Sequence, residues 1–73
     1  MPRTKIMAEV TGTVCQILLE PGTEVGPDDA ILIVESMKME IPVIAARAGR
    51  LAEVLVREGD SVKDGQVVAV LET

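Results

Sequence analysis

One internal repeat, with an offset of 37 residues, constrains this chain more than any other feature. Laid over itself at that offset, the segment 8–36 covers 45–73 without a gap. Ala8/Ala45, Gly12/Gly49, Gly22/Gly59, Val25/Val62 and Glu35/Glu72 are identical pairs. Apolar character also coincides at Val14/Leu51, Ile17/Val54, Leu18/Leu55, Leu19/Val56, Ile31/Val68, Ile33/Val70 and Val34/Leu71. Even a whole chain of 73 residues buries only about 60% of its unfolded surface. Neither half can bury its apolar face alone, so the halves must pack on each other. The expected unit is a single domain over 1–73, made of half-repeats 8–36 and 45–73.

Each half reads the same way. A Gly turn leads into a strand, Gly12–Leu19 in the first half and Gly49–Val56 in the second. Turns follow at Pro21-Gly22 and Glu58-Gly59, then very short strands around Val25 and Val62. Loops at Pro27-Asp28-Asp29 and Asp64-Gly65 precede the closing strands, Ala30–Glu35 and Gln66–Glu72. Glycine supplies positive φ and Asp-Gly favours tight reversals, so these turns have a mechanism. No stretch of helical length keeps helix spacing free of Gly and Pro. Segments near 5–10 and 39–45 bring the total to about eight short strands. That cadence predicts an all-β fold: a flattened eight-stranded barrel or sandwich of two pseudo-twofold-related halves, a barrel-sandwich hybrid.

Composition then narrows the chemistry. Hydrophobic residues make up 48% of the chain, yet Phe, Tyr and Trp are absent, so the core must come from Val, Ile, Leu, Met and Ala. The β-branched residues among these favour strands. Seven basic and twelve acidic residues give a net charge of −5. Phosphate backbones need a basic patch, so no nucleic-acid partner is expected, and no anionic membrane surface either. Apolar runs such as Ala30–Val34 are far too short to cross a bilayer. Met1-Pro2-Arg3-Thr4-Lys5 opens straight into a strand-like segment without the apolar stretch of a signal peptide. Cys15 stands alone, which excludes an internal disulfide. A cytoplasmic protein is the expectation. With no His, one Cys and carboxylates scattered through loops and strand ends, neither a metal site nor a catalytic constellation can be assembled, and an enzyme is not expected. Because Cys15 has Ala52 as its repeat partner, its expected role is small-residue packing.

Between the halves lies Glu35-Ser36-Met37-Lys38-Met39-Glu40, where one strand ends and the next begins almost at once. A two-residue hairpin turn normally takes Asn-Gly or Asp-Gly, because both central residues need φ > 0. Here the central residues are Met37 and Lys38. A chain that places Gly at its other turns breaks the local rule at this one, as functional sites tend to do. A lysine at a hairpin tip presents an amine on a long flexible stem. Acylation would remove its charge and lengthen the arm to about ten single bonds of roughly 1.5 Å each. A protonated amine is a poor nucleophile, and nothing near Lys38 can take its proton, so a separate enzyme would have to help. Read without any comparison, an exposed turn lysine is more often a solvated charge, Met37 and Met39 strand-end filler, and Glu35 and Glu40 flanking charges.

The hexapeptide resembles the biotin-attachment signature, whose core is Met-Lys-Met preceded by Glu and a small residue. The likeness runs through the whole chain: Gly12-Thr13-Val14, Ile17-Leu18-Leu19, Gly22-x-x-Val25 and Ile31–Glu35 in the first half. Gly49, Val54-Leu55-Val56, Glu58-Gly59-Asp60-x-Val62 and Gly65-Gln66 carry it in the second. Within the biotin carboxyl carrier family the chain is most similar to the small free-standing biotin/lipoyl attachment proteins. The resemblance implies a flattened eight-stranded barrel with biotin in amide linkage to Lys38, installed by a biotin protein ligase. Met37 and Met39 would then be recognition elements for the ligase or for carboxylase active sites, with Glu35 assisting ligase recognition. A biotin carboxylase would load the carrier and a carboxyltransferase unload it, this chain carrying out neither step. Acetyl-CoA, propionyl-CoA, pyruvate and urea carboxylases use similar carriers. Three departures stand out: Ser36 where Ala is commoner, Ala8-Glu9-Val10-Thr11 without the frequent proline before Gly12, and no inserted thumb between Cys15 and Val25.

Two other readings are open. A lipoyl carrier shares the fold and the exposed lysine but typically shows Asp-Lys-Ala at the tip. An unmodified barrel used for protein contacts would not need Met-Lys-Met. Met1 sits only a few residues before the first strand, which suggests a separate or deliberately trimmed product rather than part of a larger carboxylase.

Overall fold

The computed structural model describes residues 2–73. Eight strands and no helix are formed among them: β1 (Arg3–Met7), β2 (Gly12–Ile17), β3 (Glu24–Val25), β4 (Ala30–Ser36), β5 (Met39–Ile44), β6 (Gly49–Val54), β7 (Ser61–Val62) and β8 (Val67–Glu72). They build two four-stranded antiparallel sheets, in the order β1-β8-β6-β3 and β5-β4-β2-β7. The expected all-β sandwich is therefore present, with the two sheets facing each other across one apolar core.

How the halves meet differs from a simple stacking of two bodies. Each sheet takes strands from both: β1 and β3 of the first half join β6 and β8, while β5 and β7 of the second join β2 and β4. The two-residue strands make the exchange, Val25 pairing with Gly49 and Val62 with Gly12. A strand of two residues cannot form an edge hairpin by itself, so each is held only by its partner half. Equivalent hydrogen bonds recur at the 37-residue offset. The amide of Gly22 donates to Leu51 O and that of Gly59 to Val14 O, both at 2.7 Å. The turn amide of Gly26 donates to the Asp29 carboxylate at 2.8 Å, and that of Lys63 to the Gln66 side-chain oxygen at 3.0 Å. Different residue types thus satisfy the same turn.

The core follows the repeat position by position. Ile6/Val43, Ala8/Ala45, Val14/Leu51, Val25/Val62, Ile31/Val68, Leu32/Ala69 and Val34/Leu71 are all buried, and Val56 is buried opposite the partly covered Leu19. Among the described residues no polar or charged side chain is buried. Stability rests on aliphatic packing, at roughly 25 cal/mol per Å² of apolar surface removed from water.

One central strand of each sheet carries a bulge at an equivalent place. The register of β2 on β4 shifts between Val14 and Gln16, and that of β6 on β8 between Leu51 and Glu53. The extra residues are Cys15 and Ala52, and a bulge leaves such a residue out of the ladder. This explains why the apolar pattern near Cys15 does not alternate. It also settles which way Cys15, expected as a small packing residue, faces: Cys15 is exposed, its Sγ–H donating to Ile33 O at 3.4 Å.

The molecule is elongated, 36 × 17 × 17 Å. Thr73 N–H donates to Pro2 O at 3.0 Å at one end. From there β1 runs beside β8 until Ala8 meets Gln66, and the chain then reaches Thr11, whose carbonyl accepts from Ser36. The turn at 37–38 therefore lies at the end opposite the two chain termini.

Two expectations follow. A Cβ at Gly12 would collide with Glu35 O and approach Val34 Cγ1 to 2.9 Å, whereas one at Gly26 would meet only Asp29, at 3.7 Å. Gly12→Ala should lower unfolding free energy by about 1–3 kcal/mol in urea titration, and Gly26→Ala should leave it nearly unchanged. At the termini Arg50 Nη2 contacts Glu72 Oε1 at 2.6 Å, with Arg3 3.8 Å from Glu72 Oε2. The Arg50 hydrogen bond, reinforced by the Arg50 and Arg3 charges, holds the Glu72 carboxyl below its ordinary 4.5. A depressed folded-state value means the pair stabilises above the unfolded-state value and the gain is lost as pH falls below about 4.5. Unfolding of wild type and Glu72→Gln should accordingly differ most near neutral pH and converge in acid.

Candidate functional site

The hairpin between β4 and β5 is closed by two residues, with Ser36 paired to Met39 and Glu35 to Glu40. Met37 has φ 52° and Lys38 φ 66°, the left-handed conformation that a two-residue hairpin demands at both positions. For residues with a Cβ this conformation costs about 1 kcal/mol or more each. The third such residue, Ala46 at φ 71°, lies in the loop before β6, where its amide donates to Pro27 O at 2.9 Å. Nothing in the sequence marked Ala46.

What holds the strained turn lies beneath it. Ser36 Oγ donates to Thr11 O at 2.8 Å, and Thr11 Oγ1 accepts from the Asp64 amide at 3.1 Å. Gly12 lies directly against the Glu35 carbonyl, so the hairpin base sits on the start of β2. Thr11, absent from the sequence-derived site, is thus the residue through which the hairpin is tied to the β7–β8 turn. The only sequence signal for it was Ser36, a hydroxyl where alanine would have served as a small residue.

At the tip the side chains stand in solvent. Lys38 is exposed, Met37 is 92% exposed and Met39 63%. Among the described residues the ion pairs involve only Arg3, Arg50, Glu53 and Glu72, so the Lys38 amine is not tied to a carboxylate. Glu35 is exposed as well, and its cross-strand neighbours are Thr13 and Glu40. Its repeat partner Glu72 has Arg50 and Arg3 at the equivalent places. Shared sequence position therefore does not mean shared role: Glu72 is neutralised at the terminal end, while Glu35 and Glu40 leave the tip end acidic. The four residues singled out from the sequence, Glu35, Met37, Lys38 and Met39, come together here within one turn.

Chemically, the arrangement offers one amine to solvent on a stiff support, with apolar side chains at either shoulder. It offers no general base, no oxyanion donor aimed at the amine, and among the described residues no cluster of metal-ligating groups. Among these residues no helix is long and apolar enough to cross a membrane. If the strain is local to the turn, Met37→Asn combined with Lys38→Gly should raise unfolding free energy by about 1–2 kcal/mol, read by urea denaturation, while removing the amine.

Comparison with known proteins agrees with this geometry. A family profile described as biotin-requiring enzyme matches residues 3–71. A biotinylated protein TB7.3 homolog of Mycobacterium leprae is 38% identical over 66 residues, covering 90% of this chain and 93% of the relative. A biotin/lipoyl attachment protein of Bacillus subtilis is 35% identical over 66 residues, 90% of each. A probable dihydrolipoyllysine-residue succinyltransferase component of Schizosaccharomyces pombe is 45% identical over 62 residues, 85% of this chain but 14% of that protein. Among solved structures, the urea carboxylase of Kluyveromyces lactis superposes with a TM-score of 0.94 at 30% identity, over 99% of this chain and 6% of that one. On the fold and on these matches together, the chain belongs to the biotin/lipoyl attachment domain family.

Proposed function

We propose that this protein is a single attachment domain over 1–73 that carries biotin in amide linkage on Lys38, in the cytoplasm, for a biotin-dependent carboxylase. The observation that supports it most is the strained tip. Two residues with a Cβ occupy positive φ where Asn-Gly would be easier, and the second of them is an exposed lysine without an ion-pair partner among the described residues. A retained local cost of this kind is what a functional requirement for that side chain produces. The Met-Lys-Met at the tip, as in the biotin signature, and the similarity over nearly its whole length to a biotinylated relative support biotin over lipoate.

The chain's residues fit a covalently held group. A cofactor joined by an amide bond needs an accessible amine and no enclosing pocket, and Lys38 provides that. Acylation converts the ammonium to a neutral amide and releases two protons, one in forming the free amine and one as the C–N bond forms; the modifying enzyme and solvent take them up. Biotin, once attached, supplies a carrier for a carboxyl group between the active sites of a biotin carboxylase and a carboxyltransferase. Met37 and Met39 present apolar contact surface to those enzymes and to a biotin protein ligase, and Glu35 adds charge at the ligase contact. The rigid sandwich meanwhile keeps the base of the arm in place while its end sweeps on the order of ten Å.

A second reading is kept by one observation, the 45% identity to a dihydrolipoyllysine-residue succinyltransferase component. In that reading the same amine takes lipoate. Intact-mass measurement after co-expression with a biotin protein ligase, and separately with a lipoate ligase, tests both. A single biotinyl adduct should form on wild type and be absent from Lys38→Arg, with the variant's circular dichroism unchanged. A lipoyl adduct alone would transfer the proposal to the second reading, and an adduct surviving in Lys38→Arg would reject the assigned residue.

A further inference from the structure

The tip concentrates thioether sulfur around the amine. Met37 and Met39 flank Lys38 directly and are 92% and 63% exposed. A thioether is a two-electron reductant toward hydroperoxides, and solvent access to the sulfur lone pair governs how readily it reacts. Met7, on β1, is 50% exposed and lines a hollow with Ile6, Ile44 and Ala46, which shields one side of it. Among the described residues Cys15 is the other sulfur in reach of solvent. Thiols react as thiolates, and desolvation followed by the Glu40, Glu35 and Glu58 carboxylates holds this thiol above its ordinary range. Its Sγ–H is also engaged with Ile33 O at 3.4 Å. Among the described residues the two tip methionines are therefore the sulfurs that a dissolved peroxide meets first.

We propose that Met37 and Met39 form a peroxide-sensitive modification site that gates acylation of Lys38. In each event the sulfur lone pair attacks one oxygen of hydrogen peroxide. The O–O bond breaks and an S–O bond forms. The proton on the transferred oxygen passes to the departing hydroxide, which leaves as water. Sulfur gives up two electrons and the peroxide takes them. The product is a polar, chiral sulfoxide in place of an apolar side chain, reversible by methionine sulfoxide reductases. A partner that buries Met37 or Met39 would then have to desolvate a strong dipole without a matching donor, which opposes binding. The oxidation stands by itself; its effect on acylation rests on Lys38 being the acceptor.

The test uses the unmodified chain and hydrogen peroxide. Peptide mass spectrometry along a time course locates each added oxygen. Acylation by a biotin protein ligase, with biotin and ATP, is then measured against carrier concentration before oxidation, after it, and after treatment with both methionine sulfoxide reductases. Met37 and Met39 should gain oxygen ahead of Met7 and Cys15. The KM for the carrier should rise by about tenfold with kcat held, the size expected when one buried apolar contact turns polar. The reductases should restore it. Earlier oxidation of Met7 or Cys15, or an oxidised tip acylated with unchanged KM, overturns the proposal. An unoxidised chain that takes no biotin overturns the attachment reading and the gate together, and that control separates the two failures.

Discussion

Every other property of this domain depends on an aliphatic core that neither half of the chain can close alone. The buried positions come in pairs across the repeat, Val14 with Leu51, Val25 with Val62, Val34 with Leu71, and none is aromatic. Aliphatic side chains each bury modest area, so the interface must be continuous to offset the entropy of ordering the chain. Exchange of strands provides that continuity, because each sheet takes two strands from each half. Such an architecture should unfold as one cooperative unit, with no half persisting by itself.

That cooperativity is what lets the tip carry strain. A hairpin with Met37 and Lys38 both at positive φ would be marginal in isolation. Here β4 is a central strand of its sheet, and the turn inherits its geometry from the ladders on either side. The Ser36–Thr11–Asp64 chain of hydrogen bonds then fixes the hairpin base against two neighbouring turns. The side chains beyond that base need make no contacts to stay in place, which frees the lysine and both methionines to face solvent. Rigidity below and exposure above are two consequences of one packing arrangement.

Pseudo-symmetry also shows where the two ends of the molecule have diverged. The cross-strand trio at the terminal end is Arg50, Glu72 and Arg3, a paired set of charges. Its counterpart at the tip is Thr13, Glu35 and Glu40, with two carboxylates side by side. Since the backbones are equivalent, the contrast comes from side-chain identity. One end is built as a closure and the other as a surface. Desolvation, and after it the Glu40 and Glu35 carboxylates, raise the Cys15 thiol, so the tip's charges are felt at the bulge of β2.

The sequence by itself determined the fold class, the strand cadence and the special turn. The period-37 repeat, the glycines at the turns and the missing Asn-Gly between Ser36 and Met39 are all local signals, and local backbone preferences are what a sequence exposes. It could not show that the halves exchange strands rather than stack. Pairing partners are chosen by contacts such as Gly12 with Val62, between residues far apart in the chain. Nor could it place Cys15, because a bulge is a register mismatch between two strands, and one strand by itself shows only an apolar pattern that fails to alternate, which leaves the face of Cys15 open. The same holds for Thr11, which matters only because folding brings the Ser36 hydroxyl to its carbonyl. Periodicity and turn chemistry are properties of neighbouring residues, whereas register, burial and charge pairing exist only once distant segments meet.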